Sequence, residues 1–323
     1  MTRGSARGIR EDEAIRLLAT RLKRPRADGV RLGIGDDAAV LAPVRGVLVW
    51  TVDSCLEGWH FERQLLELGD VAWKAFHAAA SDLAAMGAQP VAALSSLELP
   101  PRFSRKELDA FALGQGRAAR ALRCPVVGGN IARGERLGVT TTVLGVARRP
   151  LQRDGARHGD DVWLVGNVGL AAAGFALLRS GRSVKDRAGR RAIDAWRRPR
   201  ALIHEGRLLA ARASAAIDIS DGLGGDVRHL AEASGVRIVL EEDELVRSLP
   251  RELFAVARLV RREALELALE GGEDYALVAT GPRAKRPRGA RRIGRVTKGR
   301  GAVLERPDGT SVELARGFDH LAR

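Results

Sequence analysis

The sequence predicts an α/β (α+β) protein of two domains, and three observations carry that prediction. At 323 residues the chain is about twice the length of an ordinary domain. Strand-like and helix-like segments interleave along most of it. Near the middle, residues 147–160 (ARRPLQRDGARHGD) are charged and turn-rich, and they divide the chain into expected domains 1–150 and 151–323.

The elements follow in order. Ala14, Ile15, Leu18 and Leu22 stand at helical spacing over residues 11–22, and Pro25 and Gly29 mark the loop beyond. Residues 47–52 read as a strand. Over 71–86, Val71, Ala72, Ala75, Ala79 and Leu83 share one helical face, and 91–99 is strand-like again. Ser104 and Glu107 form a capping-box pattern opening a helix over 104–122. Residues 124–127 and 139–146 read as strands joined by a glycine loop. The second half begins with a strand at 162–165 and an Ala-rich helix at 170–178. An Arg-rich stretch from 182 to 200, read as solvated, comes next. A helix at 203–213, a strand into Ile217, a helix at 224–233 and a strand at 236–240 complete the assignment.

Composition narrows the function classes. With 45% hydrophobic and 29% charged residues the chain is globular rather than disordered. A formal charge of +14 raises nucleic acid as a partner, but only six of the 54 cationic residues are Lys and the Arg clusters form no recognisable nucleic-acid-binding module. The last 43 residues hold twelve Lys or Arg against four Asp or Glu, so more than half of the excess sits there, as a solvated exterior. Neither nucleic acid nor membrane is an expected partner, since no run approaches the ~18 uninterrupted apolar residues of a spanning helix. Cys55 and Cys124 have no metal-ligand spacing, and the first twenty residues lack a signal-peptide core, so a reducing cytoplasm is expected.

The chemistry is concentrated in carboxylates beside glycine turns. GIGDDAAVL (33–41) formally fits a dinucleotide pattern, yet Asp36 and Asp37 would face phosphates there, which is tolerable only with Mg²⁺ between them; the plain alternative is a turn with solvated acids. TVDSCLEGWHF (51–61) ends a strand with Asp53 and adds Glu57 and His60. SDLAAMG sets Asp82 among apolar neighbours, where it needs a partner or serves as a local cap. VVGGN carries glycines after a strand, where a backbone approaches phosphate closely. AIDISDGLGGD (216–226) gathers Asp218, Ser220, Asp221 and Asp226 at a strand end, and GGEDYAL (271–277) brings Glu273 and Asp274, or is a hairpin turn. No Walker loop, protein-kinase motif or Ser-His-Asp set is present.

These motifs, with RDGARHGD and the terminal GFDHL, resemble thiamine-monophosphate kinases in order and approximate spacing over residues 10–321. That family lies in the superfamily of aminoimidazole ribonucleotide synthetase. The resemblance implies a two-domain fold of that type, with an N-terminal mixed sheet forming a homodimer interface and a C-terminal α/β domain completing the active-site cleft. It implies transfer of a phosphoryl group from ATP to thiamine monophosphate, assisted by several Mg²⁺ and with no general base. By motif, Asp36, Thr51, Val52, Asp53, Asp82, Asn130, Asp218 and Asp221 match the metal positions. Phe111, Gly129, Asn130, Arg153 and Ser220 match the ATP contacts, and His60, Glu273 and Phe318 match those to thiamine phosphate. Arg153 also suits phosphate on its own chemistry, since a guanidinium grips two oxygens at once.

Three positions depart from the family pattern. Asn130 replaces an Asp, Leu170 an acid and Leu202 an Arg, and the first implies a raised Mg²⁺ requirement. Two alternatives follow: a weakened homologue that binds nucleotide or thiamine phosphate, or another ATP-using enzyme of the superfamily. Selenophosphate synthetase would want a reactive Cys before the first metal motif, where this chain has none, and the hydrogenase maturation enzyme a Cys at the C-terminus, where it has Arg323.

Overall fold

The computed structural model describes residues 8–22, 29–182, 186–314 and 317. Phe318 lies outside them. By internal contacts the chain divides into two compact units, Met1–Leu83 with Gln89–Arg148, and Ala84–Ala88 with Arg149–Arg323.

The first unit contains α1 (Glu11–Leu22), β1 (Val30–Leu32), β2 (Val40–Leu41), β3 (Val47–Leu56), most of α2 (Leu68–Ala85), β4 (Gln89–Leu99), α3 (Arg105–Ala121), β5 (Val126–Arg133) and β6 (Gly138–Ala147). Its main sheet has the order β3-β6-β4-β5, with β4 and β5 parallel and the other pairs antiparallel. The capping box forms as the sequence predicts: Ser104 Oγ accepts from the N–H of Glu107, while the Glu107 carboxylate accepts from the N–H of Ser104.

Period-two alternation gives this sheet two different faces. Val49, Cys55, Ala93, Ser95, Leu97, Val139, Thr141 and Val143 are buried. The intervening residues of the same strands face outward, with Leu48 58%, Trp50 70% and Val52 63% exposed on β3. Two expectations change here. Asp53 lies inside β3, two residues past Thr51 on the same face, rather than at a strand end. Gly128, Gly129 and Asn130 belong to β5 rather than to a loop, because the parallel pairing with β4 continues through them after a register shift at Ala93/Leu94.

The second unit adds β7 (Asp161–Val165), α4 (Leu170–Arg179), α5 (Arg187–Arg197), α6 (Ile203–Ala210), β8 (Ala215–Asp218), α7 (Leu223–Ser234), β9 (Arg237–Glu241), α8 (Glu242–Ser248), α9 (Arg251–Val260), α10 (Ala264–Glu270), β10 (Leu277–Gly281), β11 (Arg291–Thr297), β12 (Gly301–Glu305) and β13 (Ser311–Glu313). These strands make one mixed sheet, β13-β12-β9-β11-β7-β10-β8, in which β12 and β9 alone are parallel. Its main core includes Val162, Leu164, Ile217, Leu223, Leu230, Leu240, Leu253 and Ile293.

The Arg-rich segments are less solvated than their composition predicts. Helix α5, capped by Asp186 through the Gly189 N–H at 2.6 Å, buries Ala192 and Trp196. On β11, Arg292 grips both oxygens of Glu241 at 2.6 Å, and Arg295 bridges Glu241 and Glu305. The Arg292 guanidinium, followed by that of Arg295, holds the Glu241 carboxyl below its ordinary range.

Candidate functional site

In the first unit, pairing register sorts the predicted site residues between the two faces of the sheet. Asp53, Thr141, Ser95 and Gly129 form one row across all four strands. Thr51 lies on the same face, and its hydroxyl donates to Oδ2 of Asp82 on α2. Asp82 therefore finds its partner across the sheet-helix interface instead of capping its own helix. Beneath the row, the buried Gln115 of α3 donates to Ser95 Oγ at 2.7 Å. The glycine requirement at 129 is local, since a Cβ there would stand 1.8 Å from the Ser95 carbonyl oxygen.

The neighbouring row, Ser54, Thr140, Ser96 and Asn130, faces the opposite side, and the hydroxyls of Ser54 and Thr140 lie 2.9 Å apart. Asn130 is thus not on the face of Asp53 and Asp82. It lines an open groove of about 1110 Å³ together with Asp36, Asp37 and Gly129. No helix follows GIGDDA, so the dinucleotide pattern lacks the context it requires. Asp36 Oδ1 accepts from the N–H of Asp37 at 2.8 Å, a local turn that leaves both acids exposed. His60 closes the turn after β3, its Nδ1 accepting from the N–H of Leu56 at 3.1 Å. Acceptance at Nδ1 places the neutral ring's proton on Nε2. Val52 is exposed on the outer face. Phe111 is 1% exposed within the packing of α3, so its ring supports the core and is not at the surface.

In the second unit, Asp218 ends β8, and the loop beyond it is held by Asp226. Oδ2 of Asp226 accepts from the N–H groups of Ser220 at 3.0 Å and Asp221 at 3.1 Å. Burial first, then the charges of Asp218 and Asp221, push the Asp226 carboxyl up to about 8. Three carboxyl groups crowded in this way are an electrostatic environment that a cation relieves. Arg153 is exposed, and its carbonyl accepts from Ser234 Oγ at 2.7 Å.

GGEDY is not a hairpin turn. Its backbone continues the pairing of β8 and β10: the N–H of Tyr275 donates to the Ile219 carbonyl and that of Ile219 to the Ala276 carbonyl, both at 2.8 Å. Asp274 turns inward to cap α4, Oδ2 accepting from the Gly169 N–H at 2.5 Å and Oδ1 from the Ala171 N–H at 3.0 Å. Burial pushes its carboxyl up to about 7 against the pull of these bonds. Leu170, where the family pattern has an acid, is buried in the core beside this cap. Glu273 accepts at Oε2 from Trp196 Nε1 at 2.7 Å. Sequence reading missed Trp196; the signal was Gly189, Ala192 and Trp196 at helical spacing within the Arg-rich stretch.

Among the described residues, no three His, Cys, Asp or Glu side chains are gathered closely enough to hold a metal ion by themselves. The donors present nevertheless fit Mg²⁺, which takes hard oxygen ligands and usually only one or two carboxylates, completing its shell with substrate phosphate and water. No described helix is long and apolar enough to cross a membrane.

The family models for AIR synthase related proteins match here, the N-terminal domain over residues 35–147 and the C-terminal domain over 157–306. The chain is 37% identical over 290 residues to the thiamine-monophosphate kinase of Aquifex aeolicus, covering 89% of this chain and 92% of that protein. It is 36% identical to the Mycobacterium tuberculosis enzyme of the same name over 85% of this chain and 82% of that protein. The solved structure of AaThiL complexed with AMPPCP and TMP aligns with a TM-score of 0.80 at 34% identity, over 96% of this chain and 97% of that one. Thiamine-monophosphate kinase from Stenotrophomonas maltophilia K279a aligns at 0.81 and 33% identity, over 94% and 98%. With both domain models matched and full-length relatives above 30% identity, the chain belongs to the thiamine-monophosphate kinase family.

Proposed function

We propose that this protein transfers the γ-phosphoryl group of ATP to the phosphate of thiamine monophosphate, giving thiamine diphosphate and ADP. The observation that carries the reading is the likeness, over nearly the whole chain, to a kinase holding an ATP analogue and TMP. The acceptor is a phosphate monoester with a second pKa near 6, so it is already largely an anionic nucleophile at pH 7 and needs no side-chain base. The barrier is repulsion between two polyanions, which positioning and charge neutralisation lower.

Bound Mg²⁺ supplies that neutralisation. Within the first unit Asp53 and Asp82 on one sheet face, and Asp36 in the groove, are carboxylates that would hold such ions, and within the second unit Asp218 and Asp221 would do so. Thr51 orients Asp82, and Asp226 fixes the backbone from which Ser220 and Asp221 project. Gly129, Arg153 and Ser220 receive the nucleotide, while His60 and Glu273 receive the thiamine phosphate. The domains 1–150 and 151–323 divide this work. Leu48, Trp50 and Val52, exposed on one face of β3, support a homodimer formed through the first unit's open sheet face. Cys55 and Cys124 are both buried and not joined in a disulfide, which suits a reducing cytoplasm.

Purified protein supplied with ATP, Mg²⁺ and thiamine monophosphate will form thiamine diphosphate and ADP, and Asp53→Asn and Asp82→Asn will not. Binding of both substrates without product over a wide Mg²⁺ range would instead identify the lapsed homologue that Asn130 suggests. Trp50→Glu will convert dimer to monomer in sedimentation analysis; an unchanged mass rules out the proposed interface.

A further inference from the structure

The indole N–H of Trp196 reaches the carboxylate of Glu273 across 77 residues of sequence, at 2.7 Å. Trp196 is 1% exposed, and its ring is stacked on Phe175 of α4 with centroids 4.9 Å apart and planes 29° from parallel. Its ring is therefore held by packing against α4 as well as by the hydrogen bond. The backbone of Glu273 is equally constrained. It is left-handed, with φ 66°, as is Tyr275 with φ 49°. A non-glycine residue persists there only where its surroundings over-determine it, and such residues cluster at ligand-binding sites. Here the constraints include the Trp196 bond on the side chain and the Ser220 carbonyl, which accepts from the Glu273 N–H at 2.8 Å.

An indole N–H can only donate, so the oxygen it meets is committed as an acceptor. A carboxylate held in this state suits an N–H donor or a cation and repels phosphate. Thiamine monophosphate offers such groups beyond its phosphate: the cationic thiazolium, which bears the phosphorylated arm, and the amino group of the pyrimidine at the far end. We propose that Trp196 is a positioning residue for the acceptor substrate, locking the Glu273 carboxylate to receive the amino-substituted heteroaromatic end of thiamine monophosphate. This rests on the reading that Glu273 meets the acceptor. Trp196 thereby sets specificity for the thiamine moiety while leaving nucleotide binding and phosphoryl transfer to other residues.

Trp196→Phe keeps an aromatic ring against Phe175 and removes the N–H. Its KM for thiamine monophosphate rises roughly tenfold, the scale of a lost hydrogen bond to a charged group, while KM for ATP and kcat stay within about twofold. Preference for thiamine monophosphate over oxythiamine monophosphate, which lacks the amino group, falls in parallel. Glu273→Gln separates the two layers of the inference. If it raises KM for thiamine monophosphate and Trp196→Phe does not, Trp196 has no positioning role; if neither moves it, the assignment of Glu273 to the acceptor is wrong as well. Absence of thiamine diphosphate formation by the unsubstituted enzyme would defeat the proposed activity itself. A reading independent of folding of the variant comes from the unsubstituted protein, whose five Trp give five indole N–H resonances. One of them shifts on saturation with thiamine monophosphate and not with a non-hydrolysable ATP analogue. Should none respond selectively, the proposal is overturned.

Discussion

The backbone N–H of Glu273 donates to the carbonyl of Ser220 at 2.8 Å. With the Tyr275–Ile219 and Ile219–Ala276 bonds, it extends the β8–β10 ladder past the ends of both strands. The loop proposed to meet nucleotide and metal is thus registered against the loop proposed to meet the acceptor by main-chain bonds that no side-chain substitution removes. Donor and acceptor alignment, on which phosphoryl transfer depends, begins with this pairing.

Thr51 is expected to act through Asp82. Thr51→Val removes the hydroxyl and leaves the carboxylate unoriented, and an orienting partner of a metal ligand is commonly worth 10–100-fold. The Mg²⁺ concentration for half-maximal activity will rise by roughly tenfold or more in a Mg²⁺ titration, and Thr51→Ser will restore it. An unaltered titration would leave Thr51 as a packing residue only.

Asn130 shares the groove of Asp36, on the face away from Asp82. Asn130→Asp adds a charge there and is expected to lower the Mg²⁺ requirement. The same titration decides the matter, and no change separates Asn130 from any ion.

Asp274 makes stability depend on pH. Its folded-state pKa of about 7 lies above the ordinary 3.8, so below pH 4 both states are protonated and its contribution is fully present. As pH rises from about 4 to 7 the unfolded chain ionises first and stability is lost, on the order of 4 kcal/mol at most for this group. Asp274→Asn cannot ionise and keeps one acceptor oxygen for the α4 cap. Urea denaturation will show the variant less stable than the parent at pH 5, with the gap narrowing by pH 8. A constant gap would mean that Asp274 titrates normally.

Arg292 and Glu241 tie β11 to β9 in a partly exposed network. Glu241→Gln is expected to cost roughly 1 kcal/mol in thermal or urea unfolding, and less in 1 M salt, as for other screened pairs. Because the Glu241 pKa is depressed, its contribution is present above pH 4.5 and disappears as pH falls further. Loss of the same size at high salt would show that packing, not charge, is responsible.

Local signals were the legible ones. The helix opened by Ser104 was readable because both partners of its capping box lie within four residues. Alternation in β4 and β6 and the strand before Asp218 were readable for the same reason. Asp274 was visible as a polar residue in a glycine-rich segment, but the helix it caps begins 104 residues earlier, and no local pattern connects them. Trp196 was hidden by the charge of its neighbours. The glycines of β5 were read for what they admit from outside, although at Gly129 the tight neighbour is the chain's own Ser95 carbonyl. The carboxylate inventory was thus accessible to inspection, while the division of Asp53 and Asn130 between opposite faces depended on register.

The alternation of β3 means that one short strand answers to two separate demands. Thr51 and Asp53 face the helices and the proposed chemistry, whereas Trp50 and Val52 face outward toward the proposed partner copy. Trp50 also lines the groove that holds Asp36 and Asn130, so a substitution on the outward face bears on association and on that groove together, while the inward face is left to Thr51 and Asp53. An insertion of a single residue would exchange the two sets, turning the tryptophan inward and the aspartate outward.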